Sequence, residues 1–240
     1  MSTPSIKLLR RASSLAAFTA LALLSGVSID PNLIKARDQQ NLQQLDALIT
    51  QYKQAADADS KSAEAQYKLA LAYSYGAEVA MELRDKKKSE SYATSGLAIA
   101  KRAVAASEAN AEYHRLLGAL CGQVIPANPI MGALSYGSCA RDEINKAISL
   151  DRHLALAYVS RAIGNFYLPA QMGGGADVAL KDIDKALSID PHNADAYLWK
   201  GVILHKANRN ADARQSFTEA LKLDPDRLWA KQQLDKTPAQ

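Results

Sequence analysis

Residues 194–225 read ADAYLWKGVILHKANRNADARQSFTEALKLDP, and this stretch decides the fold. Two runs with apolar residues at helical spacing flank a polar break at residues 207–210. Small residues stand where two antiparallel helices would cross, and large apolar residues fill the flanks. Pro225 ends the second run because proline cannot donate a backbone N–H. The stretch therefore predicts a helical hairpin.

Six residues of this hairpin form a pattern with fixed spacing: Tyr197, Gly201, Ala213, Phe217, Ala220 and Pro225. The pattern resembles the tetratricopeptide repeat (TPR), a two-helix unit of about 34 residues. Lys200 departs from it, because the family has Leu just before the Gly. The resemblance implies an all-α fold, a superhelix of stacked helical hairpins. It also implies a scaffold that binds other molecules rather than an enzyme.

Earlier segments repeat the pattern with longer connections. Helix pairs are predicted to begin at Ser62, Ala111, Leu156 and Ala194, which gives four pairs. Before them, residues 38–58 are predicted to form one opening helix that covers the first pair, as terminal repeats require. A short closing helix is predicted at residues 228–235.

Three insertions distinguish the chain from a standard array, around residues 77–90, 123–138 and 168–175. We expect the first to lengthen a helix whose end is marked by Lys86, Lys87 and Lys88, where cations complement the helix dipole. The second, rich in Pro, Gly and Asn, is expected to be a long apolar loop. The third contains Gly173–Gly175 but lacks the Lys of a phosphate-binding loop, so we expect a tight turn.

The N-terminus resembles a secretory signal peptide. Lys7, Arg10 and Arg11 precede an apolar run at residues 15–24, and Gly26 and Ser28 suit a cleavage site. We therefore expect residues 1–28 to be a signal peptide and the protein to be exported to a bacterial-type periplasm or secreted. An uncleaved N-terminal anchor is the alternative. The remaining boundaries are a linker at 29–37, the helical domain at 38–236 and a flexible tail at 237–240.

Charge composition argues against nucleic-acid and membrane-surface partners. The formal net charge is +4, from 29 basic and 25 acidic residues. Without the three basic residues of the leader, 26 basic residues face 25 acidic ones, so the mature chain is close to neutral. We therefore expect no nucleic-acid binding, and no stable membrane insertion after cleavage of the leader.

The chemical motifs of enzymes are missing from the sequence. The four histidines have no metal-ligand spacing and are expected at the surface and at helix flanks. No nucleophile motif occurs, so we expect no catalytic residues, no metal and no cofactor. Cys121 and Cys139 lie near the predicted crossing of the second helix pair. A disulfide between them and two buried free thiols are both compatible with the sequence.

The candidate site is the concave face, which the first helices of TPR pairs line. Carried over by register, its positions are Tyr67, Leu71, Tyr75, Arg115, Ala119, Val159, Ile163, Phe166, Tyr167, Leu198, Trp199, Val202 and His205. This set is mainly apolar and aromatic, which favours a hydrophobic peptide or helix, or a small apolar ligand. It is equally compatible with a groove filled from within, by the opening helix or by the apolar insertion.

Three functions follow as hypotheses, the third and least favoured being an enzyme with an unrecognised site formed across repeats. The first is a non-catalytic TPR scaffold of the cell envelope that binds a protein or peptide on its concave face. The second is a periplasmic binding component that encloses a small apolar ligand in a TPR cavity.

Overall fold

Helical hairpins account for most of the chain. The structure, a computed structural model, describes residues 29–127 and 129–239. The predicted signal peptide at 1–28 lies outside these residues. Eleven α-helices and no strand occur in the described part of the chain: α1 (Pro31–Asp38), α2 (Leu42–Ala58), α3 (Ala63–Glu82), α4 (Lys86–Ala106), α5 (Ala111–Val124), α6 (Pro129–Leu150), α7 (Ala155–Tyr167), α8 (Ala176–Ile189), α9 (Ala194–Lys206), α10 (Asn210–Leu223) and α11 (Leu228–Lys236).

The helices stack as an α-α superhelix, which confirms the predicted fold class. The pairs α3/α4, α5/α6, α7/α8 and α9/α10 each pack as a hairpin, and every second helix also packs on the first helix of the next pair. The first helices α3, α5, α7 and α9 contact one another in sequence and form an inner row. Helix α2 packs on α3, and α11 packs on α10. The inner row is the face on which the candidate site was predicted.

Capping residues set the starts of three first helices. The side chains of Ser62, Asn110 and Asn193 accept hydrogen bonds from backbone N–H groups in the first turns of α3, α5 and α9. Such caps satisfy donors that have no partner inside the helix. Helix α7 follows Leu154 and begins at Ala155 without a side-chain cap.

Glycines permit the close helix crossings on which the hairpins depend. A Cβ atom at Gly201 would lie 2.4 Å from Cε1 of Phe217, and one at Gly118 would lie 2.7 Å from Cγ1 of Ile144. Real Cβ atoms do not approach other carbons this closely. In these pairs the backbone of the first helix therefore contacts a side chain of the second helix, as the TPR pattern predicted.

Residues 29–37 are not a linker, and this part of the domain assignment was wrong. Helix α1 begins after Asp30, whose side chain accepts a hydrogen bond from the Asn32 N–H, and Pro31 suits the first helical position. Leu33 and Ala36 are buried in the core. Gln40, with a φ of 51°, ends this helix, so the predicted opening helix starts at Leu42 rather than at Asp38.

The first insertion lengthens α3, but the lysines lie elsewhere than predicted. Arg84, with a φ of 65°, ends α3, and Asp85 caps α4 through the Lys88 N–H at 2.9 Å. Lys86, Lys87 and Lys88 therefore form the first turn of α4 instead of the last turn of α3. The cap and the left-handed residue between the helices outweigh the unfavourable position of the charges at a helix N-terminus.

The second insertion is mostly helical, so the predicted long loop was wrong. Helix α5 continues to Val124, a short 3-10 turn spans Ile125–Ala127, and α6 begins at Pro129. Gly132 allows the start of α6 to pack against the turn, since a Cβ atom there would lie 2.8 Å from Cα of Ile125. Proline at a helix start and glycine at a close contact had given the segment the composition of a loop.

The third insertion contains the tight turn that the glycines predicted. Gly173 and Gly175 have φ values of 86° and 114°, and residues other than glycine rarely adopt such positive backbone angles. The predicted tail was wrong at Thr237, which is buried and whose carbonyl accepts a hydrogen bond from Arg214 Nη1 at 2.6 Å.

Cys121 and Cys139 form a disulfide in the structure. Their Cα atoms are 6.0 Å apart, and the bond joins α5 to α6 across the lengthened connection. The bond lies close to the crossing of the pair, where a Cβ atom at Gly118 would lie 3.1 Å from the Ala140 carbonyl. It therefore fixes the insertion at both of its ends.

We expect Gly201→Ala to lower the free energy of unfolding by about 1–3 kcal/mol, because the new methyl group overpacks the ring of Phe217. Gly164→Ala is the matched control, since a Cβ atom there meets nothing within 4 Å. Alanine favours the helix at this position, so the control should be unchanged or slightly more stable. Urea unfolding followed by circular dichroism measures both. Equal stability of Gly201→Ala and the wild type would contradict the crossing.

Replacement of both cysteines by alanine is expected to lower the free energy of unfolding by about 3 kcal/mol, because the bond restricts the unfolded chain. Reduction of the wild-type protein should lower stability by a similar amount and should not affect the double variant. A wild type with the same denaturation midpoint with and without reductant would show that the bond does not stabilise the fold.

Candidate functional site

The predicted inner-face residues lie on the inner row, but they differ in accessibility. Tyr67, Leu71, Val159 and Val202 are buried, and so is Leu198. Tyr75, Arg115, Ala119, Ile163, Phe166, Trp199 and His205 are partly buried. Tyr167 is 70% exposed and is the most accessible member of the set. The set is therefore buried at Tyr67 and Leu71 of α3 and most accessible at Tyr167 at the end of α7, and we call this end the open part of the inner row.

Helix α1 reaches the α3 part of the inner row. Its Arg37 places the guanidinium carbon 4.9 Å from the centre of the Tyr75 ring. The same side chain donates a hydrogen bond from Nη1 to Asp195 Oδ2 at 2.9 Å, at the start of α9. Leu33 and Ala36 anchor the helix in the core beside α3. The segment that covers this part of the inner row is thus α1. In the alternative of a filled groove, the expected occupants were the helix predicted at 38–58 and the second insertion, and neither of them contains Arg37.

Arg115 is held by neighbouring side chains of the inner row. Its guanidinium donates to both carboxylate oxygens of Glu112, from Nε at 2.6 Å and from Nη2 at 2.5 Å. The Tyr67 hydroxyl donates to the same carboxylate at 3.0 Å, and the Tyr67 ring stacks on Tyr113 at 5.0 Å. The positive charge of Arg115 is therefore paired inside the protein.

Arg227 joins the two ends of the array. It precedes α11 and is 2% exposed. From Nη2 it donates to Glu78 Oε1 and to Glu82 Oε1, both at 2.5 Å, and its Nε lies 3.7 Å from Asp38 Oδ1. We call the group formed by Arg37, Asp38, Glu78, Glu82 and Arg227 the terminal clasp.

Two glutamines extend the terminal clasp at its edge. Gln40 donates from Nε2 to Glu82 Oε2 at 2.9 Å, and Gln232 in α11 donates to Gln40 Oε1, also at 2.9 Å. Segments 192 positions apart in the chain are therefore in direct contact. No pattern in the sequence predicts this contact, because Arg37 and Arg227 stand outside the register of the four helix pairs.

The open part of the inner row carries aromatic side chains from α7 and α9. The rings of Phe166 and Tyr167 meet edge to face with 5.0 Å between their centres. Trp199 meets Trp229 of α11 in the same manner at 5.4 Å. His205 at the end of α9 hydrogen-bonds Asn210 Oδ1 through Nδ1 at 2.9 Å. These aromatic contacts come from α7, α9 and α11.

One histidine does not fit its predicted place. His114 is buried rather than exposed at a helix flank, and it bonds Glu143 Oε2 through Nδ1 at 2.5 Å and the Glu108 carbonyl through Nε2 at 2.8 Å. No cluster of His, Cys, Asp and Glu suited to a metal ion occurs among the residues that the structure describes. Within the same residues, no helix is long and apolar enough to span a membrane.

Two cavities lie beside α2, away from the predicted inner-face positions. One, of about 220 Å³, is bordered by Tyr52, Ser62 and Lys68 among others. The other, of about 400 Å³, lies between Lys53, Tyr73 and Arg102. Neither is bordered by any of the predicted inner-face residues.

Sequence comparison identifies the family. The profile of the regulator of microtubule dynamics protein 1–3 family matches residues 32–167, which is more than half of the chain and runs from α1 to the end of α7. The chain belongs to this family. A tetratricopeptide repeat profile matches residues 173–227, which cover α8, α9 and α10 and confirm the predicted TPR resemblance. No curated protein sequence is significantly similar to the chain.

One solved structure shares the fold of this chain, and two others are similar to a lower degree. A thermophilic TPR protein of Thermus thermophilus superposes with a TM-score of 0.61 at 16% identity, over 84% of this chain and 97% of the other. YrrB, described as a TPR protein with an unusual peptide-binding site, gives a TM-score of 0.41 at 18% identity, over 85% and 91% of the two chains. The HusA haemophore from Porphyromonas gingivalis gives 0.49 at 18%, over 84% and 95%.

Replacement of Arg227 by methionine is expected to lower the free energy of unfolding by about 3–5 kcal/mol, because it leaves buried carboxylates without their partner. Arg209→Met is the control, since the ion pair of Arg209 with Asp212 is exposed. That variant should differ from the wild type by no more than about 0.5 kcal/mol. Chemical denaturation at neutral pH measures both. Equal effects of the two substitutions would show that the buried pairs do not stabilise the array.

Proposed function

We propose that this protein is a non-catalytic TPR scaffold that binds a protein or peptide partner on the open part of its inner row. The observation that carries the proposal is the exposed Tyr167 beside Phe166, on a helix that directly contacts α9 and its Trp199. Exposed aromatic side chains that project from a well-packed helix are typical anchors of protein interfaces.

The family supports a protein as the partner. The family is named for regulation of microtubule dynamics, and this name supports the class of partner, a protein, rather than microtubules themselves, since export is proposed below. Helical repeat proteins present extended concave surfaces that suit segments of other proteins. Tyr167 is 70% exposed, which suits a contact with a protein surface better than the burial of a small ligand. We therefore favour the scaffold over the binding component for small apolar ligands.

We further propose export to an oxidising compartment such as the periplasm. The disulfide between Cys121 and Cys139 supports this, because such bonds are rare in the reducing cytosol. The resemblance of residues 1–28 to a signal peptide supports it independently. N-terminal sequencing of the native protein tests the location: a start just after Ser28 agrees with export, and a start at Met1 contradicts cleavage.

We expect Tyr167→Asp to weaken binding of the native partner about tenfold or more, because the substitution places a charge at a desolvated contact. Partners cross-linked to the wild-type protein in its native host are identified first, and their affinities are then measured with purified components. Leu134→Asp is the matched control, since Leu134 is 75% exposed and belongs to α6, outside the inner row.

The control is expected to bind as tightly as the wild type. Both variants should keep the helical circular dichroism of the wild type, because both positions are exposed. A partner that binds Tyr167→Asp with unchanged affinity, or that is lost equally with Leu134→Asp, would show that binding does not use the open inner row.

A further inference from the structure

Acidic groups outnumber basic ones in and around the terminal clasp. Five carboxylates and two guanidinium groups face one another there: Asp38, Glu78, Glu82, Asp195 and Asp224 with Arg37 and Arg227. Arg115 lies nearby but is paired with Glu112. The cluster therefore cannot neutralise all of its carboxylates with arginine, and an added proton would reduce the remaining repulsion.

The negative charge that the two arginines leave unneutralised affects most strongly the two carboxylates with the least exposed side chains. The side chains of Asp38 and Glu82 are each only 4% exposed. Burial raises the pKa of Asp38 to about 6, and repulsion from Asp224 adds to the effect against the attraction of Arg37. Burial also raises the pKa of Glu82 to about 7, since repulsion from Glu78 opposes the attraction of Arg227.

Asp195 behaves in the opposite way. Burial alone would raise its pKa, but the charges of Arg37 and Arg227 outweigh burial and the pKa is lowered. Asp195 therefore stays ionised in mild acid and continues to hold Arg37. A proton taken up by the cluster is thus directed to Asp38 or Glu82, at the contact between α1, α3 and the segment before α11.

The direction of the pH dependence follows from these values. When the clasp opens, Asp38 and Glu82 enter water and their pKa values fall towards about 4. Between about pH 4 and pH 7 the closed clasp therefore holds a proton that the open clasp releases. The closed form is favoured in mild acid, and this advantage is lost as the pH rises through the raised pKa values.

We propose that the terminal clasp is a proton-dependent latch that ties the N-terminal helix α1 and the C-terminal helix α11 to α3 in mild acid and releases them as the pH rises above neutrality. Three separate chain segments meet at Arg227, so its contacts control whether the two ends of the array stay together. Residues 39–41 connect α1 to α2, and Leu33 and Ala36 bury one face of α1 in the closed form.

Release of the latch would change the inner row. Helix α1 carries the Arg37 that covers Tyr75 and bridges to Asp195, so its departure would expose the inner face of α3. The open row would then extend from α7 and α9 towards α3. This consequence for partner access rests on the proposed function, whereas the movement of α1 and α11 does not.

The movement can be measured by spin labels on the full mature chain. Lys35→Cys in α1 and Lys231→Cys in α11 introduce labelling sites at exposed positions, and both native cysteines are consumed by the disulfide. We expect one narrow distance distribution at pH 5.5 and a broader, longer one at pH 8. The ratio of open to closed molecules should rise about tenfold or more, because each unit of pKa difference contributes up to a factor of ten.

Glu82→Gln and Asp38→Asn test the source of the change. Each amide keeps the size of the side chain and mimics the protonated group, so each variant should stay closed at pH 8. Asp182→Asn is the matched control, because Asp182 is a buried carboxylate paired with Arg161 outside the clasp. This control should keep the wild-type pH response.

Trp229 provides a second readout in unlabelled protein. Its ring centre lies 5.7 Å from the guanidinium carbon of Arg227, so its fluorescence should change with the same midpoint as the label distances. Identical distance distributions of the labelled wild type at pH 5.5 and pH 8 would overturn the proposal, whatever the variants do. A pH response that persists unchanged in both Glu82→Gln and Asp38→Asn would also overturn it. Partner affinity that fails to follow an observed opening would refute only the consequence for the inner row.

Discussion

The close approach of paired helices is the constraint on which the rest of the structure depends. Gly201 and Gly118 bring the two helices of their pairs into contact with Phe217 and Ile144, at distances that leave no room for a methyl group. Hairpins of this shape stack so that their first helices form one continuous row. The position of every candidate binding residue follows from that row. Tyr167 at the end of α7 is accessible, whereas Phe166 and Trp199 are partly buried, Trp199 against Trp229 of α11.

Periodicity in the sequence predicted the array but not its lengthened parts. The four pairs could be identified because their apolar residues repeat over three turns or more, which a loop does not do. Helix α1 was not predicted, because eight residues are too few for such a pattern. Its strongest signals, Asp30 and Pro31, mark only the start of a helix. The beginning of α6 escaped because Pro129 and Gly132 have the composition of a loop. Only the packing of Gly132 on Ile125 shows why a helix forms there.

The candidate site was predictable in position but not in accessibility. Register places Tyr67 and Tyr167 on the same face, yet one is buried and the other is 70% exposed. Tyr67 is covered by repeat neighbours, since its ring stacks on Tyr113 and its hydroxyl donates to Glu112, whereas Tyr167 is the last residue of α7. The pairing of Arg227 with Glu82 joins positions 145 apart, and a single sequence holds no local signal for such a contact. Buried charge networks of this kind become visible only when the backbone shows which segments meet.

Contact between the ends gives this protein a different architecture from an open helical stack. In an open stack each repeat touches only its neighbours, so the ends fray first and stability is a sum of local terms. Here Gln40 and Gln232 are hydrogen-bonded although 192 positions separate them. Because the first and last segments contact each other, the contacts between neighbouring helices form a closed ring. Loss of either end therefore removes contacts from the other end. Such a ring of contacts is expected to unfold as one cooperative unit. Removal of a terminal helix would then lower the stability of the whole protein rather than that of one repeat.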